Sequence, residues 1–94
     1  MEVIVFSKKN CPPCDKLKAM IPEFKEDYPT IVWTILDYDD NPAAVKNFNI
    51  TKTPTTVFLK SNTIINMVIG LDYAKINSTL KSMTNNVSTN NTDF

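Results

Sequence analysis

Apolar residues along this chain alternate between short β-branched runs and stripes at helical spacing. The first run, over residues 2–6, predicts a buried strand. Apolar residues at helical spacing over 12–28 then predict a helix, which Pro22 should kink or interrupt. A buried strand followed at once by an amphipathic helix indicates an α/β protein.

Five further segments continue the pattern. They are a strand at 31–36, a short helix opened by Pro42 with Asn41 as its cap, two strands at 55–59 and 63–69 joined by a turn, and a last helix capped by Asp72. The resulting order is β-α-β-α-β-β-α. A strand, a crossover helix and a strand predict a parallel pair, and the later hairpin adds two antiparallel strands. The sequence therefore predicts a four-stranded mixed sheet with helices on both faces.

The length of 94 residues and a change in composition near the end predict one domain and a tail. The domain is expected to cover residues 1–83. Residues 84–94 are rich in Asn, Thr and Ser without periodicity, which predicts a disordered polar tail.

Composition narrows the classes of function. The ten basic residues are all Lys and are scattered, and the net charge is zero, which argues against a nucleic-acid or membrane partner. The chain has no His, which excludes Cys–His and Ser–His hydrolases. We see no secretory signal or membrane-spanning run, and therefore expect a cytoplasmic monomer. The acidic residues at 37–40 are interpreted as a solvated loop, and no metal site is expected.

Two cysteines, Cys11 and Cys14, follow the first strand and open the first helix in a Cys-Pro-Pro-Cys motif. The free N–H groups of a helix N-terminus lower a thiol pKa, and the thiolate is the reactive form. This placement favours redox chemistry in which Cys11 attacks a disulfide and Cys14 resolves the mixed disulfide. Lys8 and Lys9 would add positive potential. Half of a zinc site and an inert buried pair remain as alternatives.

These features resemble the thioredoxin-like oxidoreductases, which include thioredoxins and glutaredoxins. The resemblance covers residues 2–83 and rests on the Cys motif, on 39–42 before the short helix, on Thr53-Pro54-Thr55 before the third strand, and on Gly70 after the fourth. It implies the thioredoxin fold, and no cofactor beyond a redox-active Cys11–Cys14 disulfide. It also implies a cis bond at Pro54 beside the disulfide and backbone hydrogen bonds from Thr53 to an extended substrate.

The resemblance also implies a substrate surface and partners. Besides Thr53 and Pro54, this surface would include residues beside the cysteines and Gly70, namely Asn10, Pro12, Pro13, Gly70 and Lys8. A lysine matching Lys8 holds a glutathione carboxylate in glutaredoxins. The expected partners are disulfide-containing proteins and an electron donor, which is either a thioredoxin reductase or glutathione.

Three positions depart from the thioredoxin pattern. Asn10 stands where a Trp is usual, Val5 where a buried Asp is usual, and Ile35 where that Asp has its Lys partner. Because Pro12 and Pro13 both lack an N–H, we expect the pKa of Cys11 to be less depressed than its helix N-terminus alone would suggest. A thioredoxin-type disulfide reductase is the leading hypothesis. The alternatives are a glutaredoxin-type enzyme and a non-catalytic binding module of the same fold.

Overall fold

The computed structural model describes residues 1–84 and confirms the predicted order of elements. The elements are β1 (Glu2–Ser7), α1 (Pro12–Asp27), β2 (Val32–Asp37), α2 (Pro42–Asn47), β3 (Thr55–Lys60), β4 (Thr63–Ile69) and α3 (Tyr73–Thr84). Thr84, the first residue of the predicted tail, is the last residue of α3. The rest of that prediction, residues 85–94, lies outside the described residues.

The four strands form one mixed sheet in the order β2-β1-β3-β4. β1 is parallel to β2, whereas β1 and β3, and β3 and β4, are antiparallel. Val5 lies opposite Ile35 on β2 and opposite Thr56 on β3. The mixed sheet predicted from the crossover and the hairpin is therefore confirmed.

Two apolar clusters cover the two faces of the sheet. On one face, buried side chains of α1 and α3 pack against alternate sheet residues such as Val3, Val5 and Phe58. On the other face, α2 and the segments around it pack against Ile4 and Val57. Because neighbouring strand residues point to opposite faces, each central strand contributes to both clusters. We call these the α1/α3 face and the α2 face.

The helix α1 runs without interruption through Pro22, although the sequence predicts a kink or a break there. Pro22 is solvent-exposed, so the carbonyl group left unpaired one turn earlier lies on the side that water can reach. On the opposite side, Leu17, Ile21 and Phe24 are buried against the sheet. Burial of this stripe holds the helix continuous in spite of the missing hydrogen bond.

The two predicted helix caps have different outcomes. Asp72 caps α3 as expected, because its Oδ1 accepts a hydrogen bond from the Lys75 N–H at 3.1 Å. Asn41 occupies the cap position of α2, but its side chain makes no capping bond. Its Nδ2 instead donates to the carbonyl oxygen of Asp37 at 2.9 Å, which closes the turn after β2. The predicted role of the Asn41 side chain is therefore wrong.

Within residues 1–84, no helix has the length and the apolar character that crossing a bilayer requires.

Candidate active site

Cys11 and Cys14 are joined by a disulfide where the loop after β1 enters α1. Cys11 is the N-cap residue of the helix, and Cys14 lies in its first turn, with 5.2 Å between the two Cα atoms. Cys11 is half-buried, whereas Cys14 has no exposed surface. An incoming disulfide can therefore reach Cys11 far more easily than Cys14.

The Cys11 sulfur has two polar neighbours. Its Sγ accepts a hydrogen bond from the Cys14 N–H at 3.3 Å and lies 3.8 Å from the Thr53 hydroxyl. Pro12 and Pro13 occupy the first two helical positions and carry no N–H. Only one N–H of the first helical turn thus donates to the sulfur. A helix N-terminus without these prolines has more free N–H groups.

Replacing Pro13 with alanine is expected to increase the thiolate population of Cys11, because it returns an N–H to the helix N-terminus beside the sulfur. The free energy of one hydrogen bond from an N–H to the charged sulfur corresponds to a several-fold, up to about tenfold, larger thiolate population at a given pH. The ultraviolet absorbance of the thiolate, titrated in a Cys14→Ser background, measures it.

The matched control is Pro22→Ala, which restores an N–H in the exposed middle of the same helix. This change should leave the Cys11 titration where it is. An unchanged titration in Pro13→Ala would show that the missing N–H does not influence the thiol.

The loop before β3 lies directly beside the disulfide. The Thr53–Pro54 peptide bond is cis, and Pro54 is buried while Thr53 is partly exposed. The N–H of Gly70 donates to the Pro54 carbonyl oxygen at 2.8 Å. Gly70 has a φ of 87°, a left-handed conformation that suits glycine. Two segments far apart in the sequence thus meet next to Cys11.

The remaining predicted site residues also lie at this edge of the molecule. Asn10, Pro12 and Pro13 are exposed beside Cys11. The Lys8 Nζ lies over the ring of Tyr38, 5.4 Å from its centroid. Lys9 lies 3.9 Å from the Asp40 carboxylate, and both side chains are largely exposed. Its charge is therefore partly offset and well solvated.

A cavity of about 340 Å³ adjoins the site, and the sequence does not predict it as a unit. Its lining residues are Lys8, Tyr38, Thr51, Lys52 and Thr53. Tyr38, Thr51 and Lys52 are not among the predicted site residues. The position of Tyr38 could have marked it as a site residue, because it follows the carboxyl end of the parallel strand β2, where α/β proteins often bind ligands. Two ammonium groups and neighbouring hydroxyls make this cavity suited to an anionic group.

Two of the positions that depart from the thioredoxin pattern, Val5 and Ile35, lie side by side on the sheet. Val5 is fully buried on the α1/α3 face, and Ile35 beside it is 47% exposed. In the described part of the chain, the buried polar residues are Ser7, Thr55 and Thr56. All three carry hydroxyl groups, so neither a carboxylate nor an ammonium group is buried within residues 1–84. That stretch also holds no group of three His, Cys, Asp or Glu side chains arranged to bind a metal ion.

Comparison with known proteins agrees with this fold. The family model for thioredoxin matches residues 1–82. The chain belongs to the thioredoxin family.

Similar proteins include two plant thioredoxins. Thioredoxin H5 of Arabidopsis thaliana is 32% identical over 78 residues, which are 83% of this chain and 66% of the relative. Thioredoxin H5 of Oryza sativa is 34% identical over 68 residues, which are 72% of this chain and 50% of the relative. The matched region thus spans about half to two thirds of the length of these curated relatives.

Among solved structures, mitochondrial thioredoxin 3 from Saccharomyces cerevisiae in its oxidised form superimposes with a TM-score of 0.82 at 26% identity. The alignment covers 86% of this chain and 76% of the yeast chain. These similarities are to thioredoxins and therefore favour a thioredoxin over a glutaredoxin.

Proposed function

We propose that this chain reduces disulfide bonds in proteins by dithiol–disulfide exchange through Cys11 and Cys14. The observation that carries the proposal is the unequal exposure of the two bonded sulfurs at a helix N-terminus. Cys11 is accessible and accepts a helix N–H, whereas Cys14 is fully buried behind it. This asymmetry suits an attacking thiol and a resolving thiol.

The proposed reaction has two exchange steps. The Cys11 thiolate attacks one sulfur of a substrate disulfide and forms a mixed disulfide, and the other substrate sulfur leaves as a thiolate. Cys14 then attacks Cys11 Sγ, which releases the second substrate thiolate and forms the Cys11–Cys14 bond. The oxidised form described above is thus the product of one turnover, and an electron donor must reduce it again. The redox-active group is the protein's own disulfide.

We propose that the substrate lies across the surface around Cys11. Asn10, Pro12 and Pro13 would contact it from the side of the helix. Thr53 and Pro54 would pair with it through backbone atoms, and Gly70 would border it on the far side. Support comes from the hydrogen bond that links Gly70 to Pro54 and from the proximity of Thr53 to the Cys11 sulfur.

An insulin reduction assay tests the proposed function. With a thioredoxin reductase and NADPH, the full chain should reduce insulin disulfides, which is followed by NADPH oxidation and by insulin precipitation. Cys11→Ser is the control and should fall to the uncatalysed background, because a serine hydroxyl does not exchange with disulfides. Equal rates for the two proteins would overturn the proposal in favour of a binding module.

Glutathione is a second candidate donor, and the cavity beside Cys11 favours it. Lys8 and Lys52 line this cavity, and such ammonium groups would pair with the carboxylates of a small acidic peptide. The same assay with glutathione, glutathione reductase and NADPH separates the two donors. We expect thioredoxin reductase to support the faster turnover, since the family similarity is to thioredoxins.

We also propose that the domain acts as a cytoplasmic monomer and that residues 1–84 contain the catalytic unit. All proposed site residues lie within this segment. A reducing compartment suits a protein that must return repeatedly to its dithiol form.

A further inference from the structure

Thr56 carries a buried hydroxyl for which the described structure shows no role. The residue has no exposed surface, and its Oγ1 makes no hydrogen bond to any atom of residues 1–84. The neighbouring Thr55 differs, because its hydroxyl donates to the carbonyl oxygen of Lys52. A buried hydroxyl without a partner costs stability, so its presence calls for an explanation.

The Thr56 side chain lies on the α1/α3 face. It stands opposite Val5 on β1 and Val68 on β4, and both of these belong to the cluster between the sheet, α1 and α3. Thr55 points to the opposite face, because strand side chains alternate. Thr56 is therefore the first β3 side chain on the α1/α3 face after the loop that carries Thr53.

Cys14 lies at the same end of the α1/α3 face. At the far end of α1, Phe24 stacks on Trp33, which pairs with Val3 near the start of β1. Because α1 runs back along the sheet, its first turn lies over the other end of β1. The contact between Cys11 and Thr53 also places the disulfide next to the start of β3. Thr56 on the sheet and Cys14 on the first turn of α1 therefore lie at the same end of this face.

The α1/α3 face offers little else to a thiolate. The sheet side chains Val5 and Val68 are apolar, and α3 contributes Ile76 and Leu80 to the same cluster. The charged groups at this end of the molecule are exposed or partly exposed. They include Lys8, Lys9, Asp15, Lys16, Lys18, Lys52 before β3 and Asp72 at the start of α3. Ser7 is the other buried hydroxyl on this face, at the end of β1.

We propose that the Thr56 hydroxyl donates a hydrogen bond, directly or through one water, to the Cys14 thiolate in the resolving step. This inference rests on the proposed function and assigns Thr56 as a positioning residue. Cys14 loses its proton to solvent, and its sulfur lone pair forms the bond to Cys11 Sγ. The Cys11–substrate bond breaks, and its electron pair leaves on the substrate sulfur, which takes up a proton. In the oxidised form Cys14 carries no charge, which explains why the hydroxyl then lacks a partner.

The direct test titrates Cys14 as the only thiol, in a Cys11→Ser background. Adding Thr56→Val keeps the shape of the side chain and removes the hydroxyl. Loss of a donor disfavours the charged form, so the pKa of Cys14 should rise, with about tenfold less thiolate at a given pH. Thr56→Ser should keep the original titration. Because this measurement involves no substrate, it stands even if insulin reduction fails.

Two control variants separate this role from a general effect on packing. Thr55→Val removes a hydroxyl from the same strand on the opposite face and should leave the Cys14 titration unchanged. Ser7→Ala removes the other buried hydroxyl of the α1/α3 face and should also leave it unchanged. Removing an unpartnered hydroxyl should not destabilise the oxidised fold, so Thr56→Val should unfold at the same or a higher denaturant concentration.

The resolving step provides a kinetic readout in protein that retains both cysteines. Reduced protein attacks an aromatic disulfide reagent through Cys11, and Cys14 then releases the second coloured thiolate. Below the pKa of Cys14, Thr56→Val should slow this release about threefold, since tenfold less thiolate is partly offset by greater nucleophilicity. At high pH, where Cys14 is fully ionised in both proteins, the difference should reverse, because only the greater nucleophilicity of the variant thiolate remains. An unchanged Cys14 titration in Thr56→Val, or a shift in Ser7→Ala alone, would overturn the proposal.

Discussion

Replacing Cys14 with serine is expected to convert the chain into a trap that holds its substrates covalently. Cys11 still attacks a substrate disulfide, but no buried thiol remains to displace the bound sulfur. The mixed disulfide should therefore accumulate in nearly stoichiometric amount, and turnover should fall to the rate at which external thiols release it. Non-reducing electrophoresis and intact mass spectrometry measure the adduct, which dithiothreitol should cleave by reducing the mixed disulfide.

Cys11→Ser is the matched control for this trap. It keeps Cys14, which is fully buried, so it should capture almost nothing under the same conditions. If Cys14→Ser turned over as fast as the unmodified chain, Cys14 would not be the resolving thiol. If Cys11→Ser captured substrate equally well, the roles of the two sulfurs would be reversed.

Replacing Phe58 with alanine should cause one of the largest losses of stability among single core substitutions. Phe58 is fully buried in the middle of β3 and belongs to the cluster between the sheet, α1 and α3. Truncation of a buried Phe removes its transfer free energy and leaves a cavity, at a cost of about 3–5 kcal/mol in unfolding free energy. Such a loss is a large part of the total stability of a small domain.

Denaturant unfolding of the oxidised protein, followed by circular dichroism, measures this effect. Ile64→Ala on the neighbouring strand is the control, because that side chain is 45% exposed and should contribute much less. A loss below about 1 kcal/mol for Phe58→Ala would mean that the cluster rearranges to fill the space.

The order of elements was predictable because local patterns and tertiary burial agree along most of this chain. β4 has the bounds that its apolar run predicts, and the hairpin before it follows from turn residues. β2 differs by one residue at each end. Ile31 is apolar, but its N–H bonds to the carbonyl oxygen of Tyr28, so it completes a turn. Asp37 is polar, yet it pairs with Ser7 in the register of the sheet.

Local rules failed where a tertiary contact outweighed a local preference. The apolar stripe of α1 holds the helix together across Pro22, and a single-residue rule does not include that burial. Likewise, the side chain of Asn41 finds an acceptor at the end of β2 in place of the helix N–H groups. Both differences arise from contacts whose geometry depends on the folded sheet.

The candidate site was only partly predictable for a similar reason. The two cysteines are neighbours in the sequence, and their spacing and position carry the redox prediction. The cavity beside them combines Lys8, Tyr38 and Lys52 from three segments that meet only after β1 pairs with both β2 and β3. From the sequence, Thr56 is predicted only as a residue of the third strand. The proposed role of its hydroxyl rests on burial without a hydrogen-bond partner, which only the folded structure shows.

The stacked pair of Phe24 and Trp33 makes the protein its own optical reporter of folding. Trp33 is the one tryptophan in the sequence, and its ring lies 5.7 Å from that of Phe24. Ten residues of helix, about 15 Å, separate Phe24 from Cys14. Tryptophan emission should therefore change when the chain unfolds and stay nearly constant when the disulfide is reduced. Fluorescence can thus follow the stability of the oxidised and reduced forms with the same signal, without interference from the redox reaction.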